Sequence, residues 1–104
     1  LALAGAFRGI GRVRLHEGHL SEAAQALEQS LVLFERLRRV QEAARTQLYL
    51  ACTLEQMGRS AEAEKRFEHA RRRFLEIGAA RDLERAEALC REHHGRRSAN
   101  PVSS

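Results

Sequence analysis

The chain has 104 residues, 43% of them hydrophobic and 31% charged, which is enough for one small domain. Leu, Ala, Glu and Arg dominate, while aromatic residues (Phe7, Phe34, Phe67, Phe74, Tyr49) and β-branched residues are few, which excludes a β-rich fold. Eighteen basic residues against 14 acidic ones give a net charge of +4, spread among apolar residues; this excludes a polybasic tail and long disorder except at the end.

The first helix is predicted over 2–17, where Ala6, Phe7, Ile10, Val13 and Leu15 keep a helical spacing. The start, Leu1 to Phe7, has no basic region or cleavage motif and makes a poor signal peptide; without an initiator Met the chain reads as a piece of a longer protein. The second helix is predicted over 20–38, with Ala23, Leu27, Ser30/Leu31, Phe34 and Leu37 along one stripe. A third follows over 40–57 (Ala43, Ala44, Leu48, Leu50, Ala51, Leu54, Met57), and a fourth over 60–77 (Ala63, Phe67, Ala70, Phe74, Ile77). A fifth, over 80–94, carries Leu83, Ala86, Leu89 and Cys90 and a polar outer side suited to a capping helix. Gly18, Gly58 and Gly78 stand where a positive φ ends a helix, and Ser21 and Ser60 follow where a hydroxyl can cap the next one. Residues 95–104 lack an apolar period and are expected to form a disordered tail. No apolar run approaches the ~20 residues that span a bilayer.

The two halves match at an offset of 40 residues: Gly18 with Gly58, Glu22 with Glu62, Ala23 with Ala63, Glu28 with Glu68 and Phe34 with Phe74. A fixed period of this size marks a helical repeat. Phe7-x2-Ile10-Gly11-x2-Arg14 before Gly18 and Ala23-x3-Leu27 after it, then Gln47-x2-Leu50-Ala51-x2-Leu54 before Gly58 and Ala63-x3-Phe67 after it, resemble the tetratricopeptide repeat family over roughly residues 2–93. The aromatic residues of the family's first helices and its following Pro are absent, and the period exceeds the ~34 of the common form. Longer repeats of this kind resemble arrays in large bacterial signalling ATPases, kinases, cyclases and transcriptional regulators. HEAT or armadillo repeats are the rival at this period, but they usually carry an internal Pro, and here the one Pro is Pro101.

The resemblance implies an all-α fold of antiparallel hairpins stacked as a right-handed superhelix. Two repeats, about 2–39 and 40–79, would be closed by a capping helix over 80–94. It also implies a concave groove lined by the first helix of each repeat. Carried over by position, that groove holds Arg8, Arg12, His16, Arg45, Leu48, Cys52, Gln56 and Arg85. Its basic first segment suits an acidic peptide or carboxylate. The carboxylate clamp of the family wants Asn where Arg12 and Tyr49 stand, so that activity is disfavoured.

No nucleophile–base pair, carboxylate pair or zinc-type spacing stands out, so neither catalysis, metal nor cofactor is expected. Gly5, Gly9 and Gly11 have no preceding strand and no following Gly-Lys-Ser/Thr; close helix packing explains them better than a phosphate loop. Cys52 and Cys90 read as reduced thiols of a cytoplasmic protein. The clusters Arg36/Arg38/Arg39 and Arg71–Arg73 have acidic residues at helical spacing (Glu35–Arg39, Glu62–Arg66, Glu68–Arg72, Glu87–Arg91) and no stacking aromatics, which weighs against nucleic acid. The expected role is a non-catalytic protein-interaction scaffold; the alternative is an oligomerisation or regulatory segment joined through the apolar N-terminal edge.

Overall fold

Strong helix formers at helical spacing give five helices, α1 (Ala2–Glu17), α2 (Leu20–Arg36), α3 (Val40–Gln56), α4 (Ser60–Glu76) and α5 (Ala80–Ser98), with no strand among the described residues. The structure, a computed structural model, describes residues 2–98, leaving out the side chains of 89, 90 and 92–98. Leu89, Cys90, the His93-His94 pair and residues 99–104 of the expected tail therefore lie outside the described side chains or residues. α5 continues to Ser98, past the expected boundary at 94.

The four turns share one geometry. Gly18, Gly58 and Gly78 have φ of 85°, 83° and 71°, and Arg38 occupies the same left-handed conformation at 57°. Each donates its N–H three residues back, and the next residue reaches five back, as in Arg38→Glu35 (3.1 Å) and Arg39→Phe34 (2.9 Å). These paired bonds satisfy the last carbonyls of each helix. The turns lie at 18, 38, 58 and 78, half a repeat apart. The serine caps did not form. His19 and Arg59 occupy the N-cap positions without a side-chain cap bond, and Ser21 and Ser60 fall inside the helices. The left-handed turn sets the chain direction, so α2 begins one residue before Ser21 and α4 at Ser60 itself.

Packing follows the 40-residue offset. Ala4 and Ala44, Ala23 and Ala63, Ser30 and Ala70, and Phe34 and Phe74 are each buried in both halves. Ser30 donates to the Ala4 carbonyl at 2.8 Å, tying α2 to α1. Gly11 lets α1 lie directly on α2, because a Cβ there would stand 2.6 Å from Leu27 Cγ. Nothing lies within 4 Å of a Cβ at Gly5 or Gly9, so the expected close-packing role holds for Gly11 alone.

α3 is the central helix, buried without interruption from Thr46 to Leu54. The Thr46 and Thr53 hydroxyls satisfy themselves on the Glu42 and Tyr49 carbonyls, each at 2.9 Å, which makes two threonines tolerable in a buried helix. One apolar cluster joins Leu27 and Leu31 of α2 to Tyr49, Leu50 and Leu54 of α3. A second joins Ala44 and Leu48 of α3, Ala70 and Phe74 of α4, and Leu83 and Ala86 of α5. The last helix breaks the repeat: of the helices before it, α3 rests on α2 far more than on α1, whereas α5 rests more on α3 than on α4. The radius of gyration, 13.2 Å, is that of a compact domain of this length.

Candidate functional site

The eight residues expected to line a groove do not form one open surface. Arg8 of α1 donates to both carboxylate oxygens of Glu42 on α3, at 3.0 and 3.3 Å, and its guanidinium lies 5.0 Å from the centre of the Phe34 ring. Arg45 bridges Glu42 at 3.2 Å and Asp82 of α5 at 3.3 Å, and Gln41 also donates to Asp82. Two arginines and two carboxylates thus form a balanced chain linking α1, α3 and α5. Arg12 sits over the Tyr49 ring, 4.9 Å from its centre. His16 and Arg85 are exposed. Gln56 is half-buried and its side-chain nitrogen is buried without a hydrogen-bond partner among the described residues.

Two residues correct the expectation outright. Leu48 (1% exposed) and Cys52 (3% exposed) belong to the core, because the first helix of the second repeat is enclosed on all sides. Cys52 is also disulfide-bonded, so it is not the reduced thiol expected. Spacing along the chain says nothing of which helix faces meet, and that alone decides whether a sulfur finds a partner.

The Arg8 hydrogen bond, with the charges of Arg8 and Arg45, holds the Glu42 carboxyl below its ordinary value of 4.5, against partial burial and the charge of Asp82. A carboxyl depressed on folding stabilises the fold above its unfolded pKa, and the stabilisation is lost as pH falls through the lower folded value. Glu42→Gln should therefore cost about 1 kcal/mol at neutral pH and make the urea midpoint less sensitive to acid below pH 4.5. Denaturation curves across that range check both effects.

The cations that spacing did not single out together meet elsewhere. A cleft of about 490 Å³ opens between the end of α2, the start of α3 and the middle of α4. Buried Leu31, Phe34 and Ala44 line its floor. Arg38, Arg39, Arg73 and His69 stand around it, with Glu35 the one acidic lining residue. Among the described residues neither Arg38 nor Arg39 is in an ion pair. Arg73 has only a 3.9 Å contact to exposed Glu76. Arg38 is an arginine in a left-handed turn where the three equivalent positions are glycine. That conformation costs a side-chain-bearing residue about 1–2 kcal/mol, a cost that marks functional positions. The signal in the sequence was the arginine at 38 where Gly78 stands one repeat later.

Arg14, Arg59, Arg66, Arg71 and Arg72 are engaged, mostly not with the partners expected, while Arg36, Arg81 and Arg85 are in no ion pair among the described residues. Glu68–Arg72 lies at 3.9 Å. Arg66 instead reaches Glu28 on α2 at 2.9 Å, Glu62 takes Arg59 at 2.7 Å, and Glu87 takes Arg71 at 2.7 Å. Among the described residues no group of three or more His, Cys, Asp or Glu could hold a metal ion, and no helix is long and apolar enough to cross a membrane. Comparison with family models, curated proteins and solved structures gives no match.

Proposed function

We propose that the chain is a non-catalytic protein-interaction module of tetratricopeptide type, a right-handed stack of about two and a half hairpins within a larger bacterial signalling or regulatory protein. Its ligand is an acidic peptide segment carrying one apolar side chain. The observation that carries this reading is Arg38, held in a strained turn at the rim of an apolar cleft beside Arg39, Arg73 and His69. An apolar anchor would rest on Leu31, Phe34 and Ala44 while flanking carboxylates meet the guanidinium groups. The groove of α1 and α3 is the weaker seat, since its arginines already hold Glu42 and Asp82.

Nucleic acid suits the surface less well. All five aromatic side chains are buried or half-buried, leaving no exposed ring for a base to stack on. Arg66 and Arg71 of α4 are also engaged, with Glu28 and Glu87.

Arg38→Gly separates structure from function at one position. It should raise stability by about 1 kcal/mol, because glycine adopts this turn without strain. It should also weaken binding of a fluorescein-labelled Glu-Glu-Phe-Glu-Glu peptide by about tenfold. Arg73→Glu should weaken the same peptide at least as much, and a Lys-Lys-Phe-Lys-Lys peptide should not bind. Anisotropy titrations at low and high salt give the affinities, and urea midpoints give the stability. Equal affinity for the two peptides would sink the proposal.

A further inference from the structure

Leu3 (59% exposed), Ile10 (49%) and Val13 (54%) form one stripe on the outer side of α1, with exposed Ala6 between them. Ile10 and Val13 sit away from α2, which packs against Ala4, Gly11 and Leu15, and Leu3 stands at the margin between the two helices. Leu37, Val40, Leu75 and Ile77 are exposed too, but they stand at helix ends and turns; on α1 three large apolar side chains line up along the body of one helix face.

The repeat says what such a face is for. Forty residues on, Ala6, Ile10 and Val13 correspond to Thr46, Leu50 and Thr53, which are 0%, 1% and 0% exposed. Leu50 is covered by Leu27 and Leu31 of α2, the second helix of the preceding hairpin. The face of α1 that is open is therefore the face of α3 that α2 covers. A second correspondence supports the first. Leu3, Phe7, Gln29 and Leu33 line a cleft of about 340 Å³ between α1 and α2. Their counterparts, Ala43, Gln47, His69 and Arg73, line one wall of the Arg38 cleft, and the end of α2 forms its opposite wall. At the α1 edge no such opposite wall stands among the described residues. The open edge is also the more apolar of the two, with Leu3, Phe7 and Leu33 in place of Ala43, Gln47 and Arg73.

We infer that the outer face of α1, with Val32 and Leu33 of α2 at its margin, is a docking surface for the second helix of another hairpin of this same repeat type. Its ligand is an amphipathic helix presenting apolar side chains at i, i+4 and i+7, as α2 presents Leu27, Leu31 and Phe34. The helix lies along α1 as α2 lies along α3, seating its leucines between Ile10 and Val13. Gly9, with open space where a Cβ would stand, permits a close approach. The surface shares no residue with the Arg38 cleft, so the two sites can be tested separately.

The probe is a labelled synthetic peptide with the sequence of Leu20–Arg36, the helix that covers the equivalent face of α3. Added to the full chain, it should bind saturably. Replacing its leucines and phenylalanine at the positions of Leu27, Leu31 and Phe34 with Gln should weaken binding by about tenfold or more. Ile10→Glu in the chain should weaken it to a similar degree while shifting the melting temperature little, since Ile10 is 49% exposed in the isolated chain. Absence of binding, or binding that survives Ile10→Glu because the peptide displaces the internal α2, would overturn the inference. So would self-association of the chain that Ile10→Glu abolishes, since the occupant would then be a second copy meeting face to face.

Discussion

Phe74→Ala lowers the stability of the chain by about 3–5 kcal/mol, a large share of what a domain of this size has to lose. Phe74 is 0% exposed and is the largest side chain in the cluster that joins Ala44 and Leu48, Ala70, and Leu83 and Ala86. The surrounding residues are mostly alanines, which have no length with which to fill the space left behind, so the cavity persists and its cost is added to the lost transfer free energy. The helix most exposed to this loss is α5. It rests mainly on α3 and the Phe74 cluster and little on the rest of α4, so in reductant, with the Cys52 disulfide opened, its helicity should melt ahead of α1 and α2. Circular dichroism during urea denaturation gives the free energy, and amide exchange in α5 against α2 shows the order. Phe74→Leu, which restores most of the volume, should cost only about 1–1.5 kcal/mol.

Gly11→Val has the opposite cause and a comparable effect. The Cβ it introduces would stand 2.6 Å from Leu27 Cγ, 2.7 Å from Cδ2 and 3.4 Å from the Ala23 carbonyl. Leu27 is 0% exposed and braced by the α2–α3 cluster, so it cannot swing away. Overpacking of this kind costs about 1–3 kcal/mol even for an added methylene, and valine brings three carbons. Its better helix propensity returns only a few tenths of a kcal/mol. Gly5→Ala and Gly9→Ala make the control. Both have open space, so each should stabilise α1 by about 0.5–1 kcal/mol. Three glycines in one helix thus give two signs of effect, and a measured loss at all three would refute the packing argument. Thermal melts of the single variants are sufficient.

Much of this architecture was legible before any coordinates, because helix signals are local. Apolar residues at three- and four-residue steps placed all five helices within two residues at the starts and the ends of the first four. The glycines at 18, 58 and 78 marked three turns. The fourth was placed only by the gap between periodic segments, since an arginine holds the conformation there. The failures came where the answer depends on which faces meet. α3 reads as a one-sided amphipathic helix but is enclosed, which moved Leu48 and Cys52 from a surface into the core. Arg8 read as part of a free basic segment, yet its partner, Glu42, lies 34 residues away, and Arg45 joins that same Glu42 to Asp82, which lies 37 residues beyond Arg45. Arg38 and Arg39 come from the α2–α3 turn and His69 and Arg73 from α4, some thirty residues on, and no spacing rule gathers them.

Because the four turns share one backbone geometry at equal intervals, any two turns a full repeat apart are interchangeable as splice points. A chain cut at one and rejoined at the other would keep every helix direction and every turn bond, and would differ only by two helices. The length of such a protein can therefore change in steps of one repeat without inventing a new loop. In that sense the turns, more than the helices, set the unit in which this chain can evolve.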